Sequence, residues 1–255
     1  MLELYHWEPS GASARVLIAL KEKGLDFESR YVDVLAFEQH RPGFLALNPS
    51  GETPVLVDDG EAFTESSFIC EYLDEAFPGQ ALMPGAPIER WAARAWQKYV
   101  DDYLAAAVSD LAWRALGQPL MAARDRSQLE AALGRIPMKE RRDQWELALD
   151  GLGEDMLENA RERVRLTLQK TEADLEERDW LAPGGVSLAD IAVYPYLRYL
   201  PRIERDLVNA DTAPRTVAWL ERMSARPGVK AAEAMSRTGD PYGVAAPGPE
   251  HIRWG

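Results

Sequence analysis

Two short segments carry residues that suit the binding of a small extended ligand. Thr53-Pro54-Val55 lies before a predicted strand, where proline is uncommon because it cannot donate to the strand ladder. A cis Thr53-Pro54 bond would turn the N–H and C=O of Val55 toward such a ligand. Ten residues on, Glu65-Ser66 marks the start of a helix, whose free N–H groups favour a carboxylate. Taken singly, a trans turn proline and an N-cap serine explain these segments better, but their conjunction favours the cis bond and a ligand at both segments.

The elements around these segments predict a small mixed sheet with helices packed on it. The predicted order is strand, helix, strand, loop, strand, strand and helix, with a hairpin at Asp59-Gly60, a favoured turn pair. The corresponding residues are 2–7, 14–24, 27–34, 37–51, 53–59, 61–65 and 66–77. Residues 79–87 are rich in glycine and proline and are the predicted linker.

Helical patterns without strands follow from about residue 88. One long helix or a kinked pair is predicted first, then a less regular stretch over 117–153 and a second long helix from 154. Ser187-Leu188-Ala189-Asp190 reads as a capping box before a further helix. The predicted division is therefore a sheet domain over 1–79, a helical domain over 88–235 and an extended tail over 236–255.

Composition and charge exclude several classes of function. The net charge of −13 argues against a nucleic-acid partner, because phosphate binding needs a basic face. No apolar run approaches the roughly 18 residues of a membrane helix, so no membrane partner is expected. The single Cys70 excludes an intrachain disulfide framework and fits a reducing cytoplasm. His6, His40 and His251 lie far apart without metal-ligand spacing, so no metal is expected.

Several separated motifs together resemble the soluble glutathione transferase family. The string NPSGETPVL over 48–56, the Glu65-Ser66 pair and ICEYL over 69–73 resemble its glutathione site. The SLAD cap at 187–190 and PRTVAWLERMSARPGVK over 214–230 resemble its helical half. The likeness spans nearly all of residues 2–232. It implies an α+β thioredoxin-like N-terminal domain, an all-α C-terminal domain, and glutathione as co-substrate.

The resemblance implies how glutathione is bound. Glu65 and Ser66 are expected to hold the γ-glutamyl end, and Val55, with Thr53 and Pro54 before it, to meet the backbone of the tripeptide. Gln39 or His40 is expected at the glycine carboxylate.

The resemblance also implies a serine that holds the glutathione thiol as thiolate, and two residues qualify. Ser13 aligns with a serine of the bacterial glutathione-dependent β-etherases, and Ser10 with the catalytic serine of the zeta-like and tau-like classes. The structural alternative for either is a simple helix N-cap. Tyr5 is expected to pack in the core, and Cys70 to be buried and inert.

The stretch over 117–160 is longer than is typical of the family and resembles the β-aryl-etherase branch of lignin-degrading bacteria. This implies thiolate attack on the β-carbon of an α-keto aryl ether. Candidate aromatic walls for such a substrate are Tyr103, Trp113, Trp145 and Tyr194, although packing between helices is an alternative for each.

Other functions remain open on the same fold. They are general glutathione conjugation, thiol–disulfide exchange, dehalogenation, and a non-catalytic binder of aromatic ligands or partner subunit. Serine in place of a catalytic cysteine makes thiol–disulfide exchange the weakest of these. The family resemblance implies a homodimer, with a heterodimer as the alternative.

Overall fold

A four-stranded mixed sheet forms the first half of the chain. The computed structural model describes residues 1–244. The strands run in the order β2-β1-β3-β4, with β1 parallel to β2 and antiparallel to β3. Their bounds are β1 Glu3–His6, β2 Glu28–Tyr31, β3 Val55–Asp58 and β4 Glu61–Phe63. Asp59 and Gly60 both have positive φ, as a type I′ hairpin requires, so the predicted turn is confirmed.

Three helices accompany this sheet, namely α1 Gly11–Lys23, the short α2 Pro42–Leu45 and α3 Ser66–Ala76. The crossover α1 connects the parallel strands β1 and β2, which cannot be joined by a tight turn. It ends at Gly24, whose φ of 66° is the left-handed conformation of a helix C-terminus. The predicted order of strands and helices in this half is confirmed.

In the second half, all the regular secondary structure of the described residues is helical. Its helices are α4 Pro87–Tyr99, α5 Ala105–Ala112, α6 Gln118–Ala122, α7 Arg126–Leu133, α8 Lys139–Asp150, α9 Glu154–Asp174, α10 Leu188–Leu197, α11 Leu200–Ile203, α12 Pro214–Ala225 and α13 Pro227–Glu233. The stretch over 117–153, predicted as less regular, contains three of them. Its glycines and prolines separate short helices there rather than prevent them. The predicted capping box is present at the start of α10.

Helices α4, α5 and α6 follow one another without a break in helical conformation. They are joined by two π-helical turns, Val100–Leu104 and Trp113–Gly117. Such turns are rare, and each takes up one residue more than an ordinary α-helical turn. The predicted long helix is therefore continuous, and it contains two π turns.

The two halves share their hydrophobic core. One cluster joins side chains of α1 and α3, such as Leu17 and Ile69, to Trp96 and Trp219 of the helical half. A second joins Trp7 and Phe37 to the region of α6 to α8. After α13, residues 236–244 bond to Glu8 of the sheet half and to Arg198 and Tyr199 of the helical half, whereas residues 245–255 of the predicted tail lie outside the described residues.

Candidate active site

The loop after β1 holds the two serines predicted to activate a thiol. The Ser13 hydroxyl accepts a hydrogen bond from the Trp7 backbone N–H at 3.2 Å, which leaves its own proton available for donation. Ser10 is the N-cap residue of α1, with an extended φ of −132°. Its side chain makes no capping bond to the helix within the described chain. Both hydroxyls thus lie at the leading end of α1, and both stay candidates.

The start of β3 lies beside this loop. Val55 pairs with Tyr5 on β1, two residues before Trp7, and its side chain is fully buried. The pairing of β3 with β4 begins one residue later, at Leu56. The Thr53-Pro54 bond is cis, as the sequence predicts.

The loop before β3 is fixed by an asparagine. The Asn48 amide donates to the Glu52 carbonyl at 2.9 Å, and its oxygen accepts from the Ser50 N–H and hydroxyl at 3.1 and 2.7 Å. Gly51 adopts a φ of 68°, and a Cβ atom there would lie 2.6 Å from Nδ1 of His40. A close approach of loop to imidazole therefore requires glycine at this position.

Gln39 and His40 are both buried next to this loop. The Gln39 side chain donates to the Val34 carbonyl at 3.2 Å. On the other side, Arg141 of α8 donates from Nη1 to the Ser50 carbonyl at 2.8 Å and to the Glu52 carboxylate at 2.9 Å. The Arg141 guanidinium of the helical half therefore binds the loop before β3. Arg141 and Glu52 are 89 residues apart, so no local sequence pattern predicts this contact.

The N-terminus of α3 has an unusual backbone. Glu65, its N-cap residue, has φ 64° and ψ 102°, and Ser66 begins the helix. Positive φ in a residue other than glycine costs about 1–3 kcal/mol and is concentrated at ligand sites. The strain sets the direction in which the first amides of α3 point. Nothing in the sequence signals it beyond the Glu65-Ser66 pair itself.

A buried charge network links this helix end to α1. Arg15 donates to the Asp101 carboxylate at 2.5 Å and to the Ser67 hydroxyl at 2.9 Å, and Ser67 donates to the other carboxylate oxygen. Burial would lower the pKa of Arg15, but the facing Asp101 raises it overall, so the guanidinium stays charged. Because Arg15 follows Ser13 by two residues and Ser67 follows Ser66, the network ties the two parts of the site together.

Two of the four predicted aromatic wall residues lie close to the loop after β1. Trp113 and Trp145 are fully buried and share a cluster with Trp7 and Phe37. Their rings are 5.7 Å apart, and Phe37 is 4.7 Å from Trp145. The Trp113 indole donates to the Ala148 carbonyl at 2.8 Å. Trp113, in the second π turn, and Trp145, on α8, thus pack this part of the helical half against the sheet half.

The other two lie elsewhere. Tyr194 is buried in the helical core, with its ring 6.3 Å from Trp219 and its hydroxyl donating to Glu233 at 2.8 Å. Tyr103 is half-buried against α9, and the Arg163 guanidinium lies 5.1 Å from its ring centre.

The single cysteine lies in the core on α3. Cys70 is buried on α3, and burial raises the pKa of its thiol to about 12. Among residues 1–244, no cluster of three or more histidine, cysteine or acidic side chains could ligate a metal. Within the same range, no helix combines the length and apolar character needed to span a bilayer.

Comparison with known proteins gives matches in both halves. Residues 4–81 match the family model of the glutathione S-transferase N-terminal domain, and residues 127–227 match that of the C-terminal domain. Protein LigF of Sphingobium sp. (strain NBRC 103272 / SYK-6) is 37% identical over 238 residues, which are 90% of this chain and 91% of that protein.

Solved structures agree with these matches. The crystal structure of beta-etherase LigF from Sphingobium sp. strain SYK-6 gives a TM-score of 0.87 at 36% identity, covering 92% of this chain and 99% of that one. Glutathione transferase F7 from Populus trichocarpa gives 0.72 at 28% identity, covering 92% and 100%. The predicted fold class is therefore confirmed: a thioredoxin-like α+β half followed by an all-helical half.

Proposed function

Because this chain belongs to the glutathione S-transferase family, we propose that it cleaves β-aryl ether bonds of lignin-derived α-keto aromatics. The glutathione thiolate attacks the β-carbon, so that a carbon–sulfur bond forms while the carbon–oxygen bond of the ether breaks. The bonding electrons leave with the aryl oxygen as a phenolate, which takes a proton from water. The observation that carries the proposal is the likeness to the beta-etherase LigF across both halves.

Glutathione fits the edge where β1, β3 and α3 meet. In this proposal Glu65 and Ser66 hold the γ-glutamyl end, where the carboxylate faces the first amides of α3 and the ammonium faces Glu65. Val55, with Thr53 and Pro54 before it, meets the backbone of the tripeptide. Gln39 and His40, which flank the loop held by Arg141, receive the glycine carboxylate.

The nucleophile belongs to glutathione, so the protein's task is to ionise and orient it. A free thiol has a pKa above neutrality, and a hydroxyl donor near the leading end of a helix lowers it. Ser13 is suited to this because accepting the Trp7 N–H polarises its hydroxyl toward donation. Ser10 is suited because its hydroxyl makes no capping bond among the described residues. The adjacent ketone activates the β-carbon, so much of the rate comes from alignment.

The test is calorimetry with glutathione, followed by assays on both enantiomers of a model β-aryl ether. Uptake of glutathione and release of phenol with a matching thioether support the proposal. Uptake without turnover of any electrophile supports a non-catalytic binder or partner subunit. Turnover of simple electrophiles but of neither ether enantiomer supports general conjugation. No uptake of glutathione refutes the assignment.

Alanine variants separate the two serines. The activating serine is expected to lose about 10²–10⁴-fold in kcat when replaced by alanine, as removal of a positioned proton donor does. The other serine is expected to change kcat little. If Ser10→Ala and Ser13→Ala both leave turnover unaltered, a hydroxyl does not activate the thiol.

We further propose that two copies pair through α3 and α4. Phe68, Ile88 and Trp91 are 70%, 71% and 67% exposed. An ion pair between Glu71 and Arg94, one turn on from Phe68 and Trp91, joins the two helices and places these side chains on one face. Exposed apolar patches of this kind mark protein interfaces.

Sedimentation of the purified chain tests this pairing. Trp91→Glu is expected to convert a dimer into monomers, whereas Leu166→Glu, at an exposed position on α9, is expected to leave the dimer intact. A monomeric unaltered chain that pairs only with a different subunit would identify a heterodimer. We place the protein in the cytoplasm, where an unpaired cysteine is stable and glutathione is reduced.

A further inference from the structure

The segment after α13 binds the loop that precedes the two candidate serines. Glu8, two residues before Ser10, is 1% exposed. Its carboxylate accepts hydrogen bonds from the Tyr31 hydroxyl at 2.8 Å, the Ser236 hydroxyl at 2.6 Å and the Arg237 backbone N–H at 3.1 Å. Two of these three donors come from the C-terminal segment, so the segment is bonded directly to this loop.

One arginine ties the next residue of the loop to the same segment. Arg198, the C-cap residue of α10, is 5% exposed. Its Nη2 donates to the Pro9 carbonyl and, at 3.0 Å, to the Pro241 carbonyl, while Nη1 donates to Glu233 at 2.8 Å. The planar fork of a guanidinium suits such divergent acceptors. The bond from Arg198 therefore holds the Pro9 carbonyl against the helical half.

Aromatic side chains hold the segment on Arg198. The guanidinium lies 4.5 Å from the ring centre of Tyr242, a favourable cation–π distance. The Tyr242 hydroxyl donates to Glu233 at 2.7 Å, and the Tyr199 hydroxyl donates to the Pro241 and Val244 carbonyls at 3.3 and 3.2 Å. Residues 236–244 are thus held at both ends and in the middle.

We propose that residues 236–244, Glu8 and Arg198 form a strap that positions Ser10 and Ser13 against the thiol of bound glutathione. Glu8 and Arg198 are positioning residues, since Glu8 lies in the loop two residues before Ser10 and Arg198 donates to the Pro9 carbonyl. The inference rests on the proposed function. Its consequence is that the strap controls ionisation and reactivity of the thiol, while glutathione affinity depends mainly on Val55, Glu65 and Ser66.

The test compares Arg198→Met with Arg198→Lys in the full chain. For each variant, calorimetry gives the glutathione Kd, ultraviolet thiolate absorbance against pH gives the pKa of the bound thiol, and ether cleavage gives kcat. Loss of positioning is expected to lower kcat by about 10-fold to 100-fold, since a displacement of about 1 Å has this effect. The pKa of the bound thiol is expected to rise, and the Kd to change less than threefold.

Lysine separates position from charge. It keeps the positive charge, but its single nitrogen cannot reach acceptors that Arg198 binds through two separate nitrogens, so Arg198→Lys is expected to raise the pKa of the bound thiol as Arg198→Met does. A normal pKa in Arg198→Lys with a raised pKa in Arg198→Met would show that charge alone acts, and the strap would be wrong.

A matched control lies one helical turn away. Arg202 pairs with Asp240 of the same segment at 2.8 Å, but both side chains are exposed and the pair does not include the loop after β1. Arg202→Met is therefore expected to leave kcat and the pKa of the bound thiol unchanged. Equal losses in Arg202→Met and Arg198→Met would contradict a specific effect on this loop.

Two hydroxyl deletions keep the test decisive if Arg198→Met does not fold. The double variant Ser236→Ala and Tyr242→Phe removes hydrogen bonds to Glu8 and Glu233 while preserving the rings and the backbone. It is expected to raise the pKa of the bound thiol and to lower kcat severalfold. Unchanged values, with glutathione bound normally, refute the strap and leave the proposed function standing. If the unaltered chain takes up no glutathione, both proposals are wrong.

Discussion

Replacing Gly51 with alanine tests how tightly the loop before β3 is built against His40. Gly51 has a φ of 68°, and a Cβ atom there would lie 2.6 Å from Nδ1 and 2.7 Å from Cε1 of the imidazole. It would also lie 3.3 Å from the Gln39 carbonyl. Because His40 is 2% exposed and Gln39 is fully buried, neither neighbour can move aside into solvent.

The loss of stability expected in Gly51→Ala has two parts, and a second variant, Gly24→Ala, separates them. Gly24, at the end of α1, has a φ of 66°, and a Cβ atom there would meet nothing within 4 Å. Both alanine variants incur the penalty for left-handed backbone, about 1–2 kcal/mol. Only Gly51→Ala adds overpacking against buried groups, about 1–3 kcal/mol. The expected difference in the free energy of unfolding is therefore about 1–3 kcal/mol.

Thermal unfolding and glutathione calorimetry measure the outcome. The Tm of Gly51→Ala is expected to lie roughly 2–12 °C below that of Gly24→Ala, since 1 kcal/mol corresponds to roughly 2–4 °C in a chain of this size. Glutathione affinity is expected to fall in Gly51→Ala alone, because His40 and Gln39 must shift. Equal Tm values and equal affinities for the two variants would refute the reasoning.

Three further predictions concern buried and half-buried ionisable groups. Burial raises the pKa of the Cys70 thiol to about 12, so Cys70 is expected to resist a thiol reagent at neutral pH in the folded chain and to react once the chain is unfolded. Rapid labelling of the folded chain would contradict this. Burial raises the pKa of Asp110 from 3.8 to about 6, although Arg163 opposes the rise, so this group destabilises the fold as pH rises through that interval. Asp110→Asn is expected to raise the free energy of unfolding by about 2–3 kcal/mol above pH 6, since each pKa unit corresponds to about 1.4 kcal/mol, and to change it little near pH 4, measured by urea unfolding at both values. Arg141→Met removes the buried cation that pairs with the Glu52 carboxylate, and it is expected to lower the free energy of unfolding by about 2–3 kcal/mol. Adding Glu52→Gln to that variant is expected to recover part of this loss. No recovery would mean that lost packing dominates.

Features with a local cause were predictable from the sequence. The hairpin at Asp59-Gly60 follows from residues that accept positive φ, and the capping box at Ser187 and Asp190 follows from side chains three residues apart. The thioredoxin-like order of elements and the cis Thr53-Pro54 bond were predicted from motifs whose spacing resembles a known family. Each of these signals lies within a few residues of the feature that it predicts.

Features that depend on distant partners were not predictable. Arg15 and Asp101 are 86 residues apart, and either could have been a solvated surface charge. The cation at Arg141 comes from a stretch whose helices were not predicted, so its approach to Ser50 had no sequence signal. The burial of Trp113 and Trp145 depends on how those helices fold back onto Trp7 and Phe37. In each case the tertiary contact decides the role.

The π-helical turn at Val100–Leu104 has a consequence for how this chain tolerates insertions and deletions. A π turn holds one residue more than an ordinary turn, and each residue rotates a helix by about 100°. Because the turn absorbs its extra residue, deleting one residue here would restore regular winding and leave the later side chains of α5 facing as they do now. Asp101 sits inside this turn, so the same deletion would instead shift the carboxylate that faces the Arg15 guanidinium.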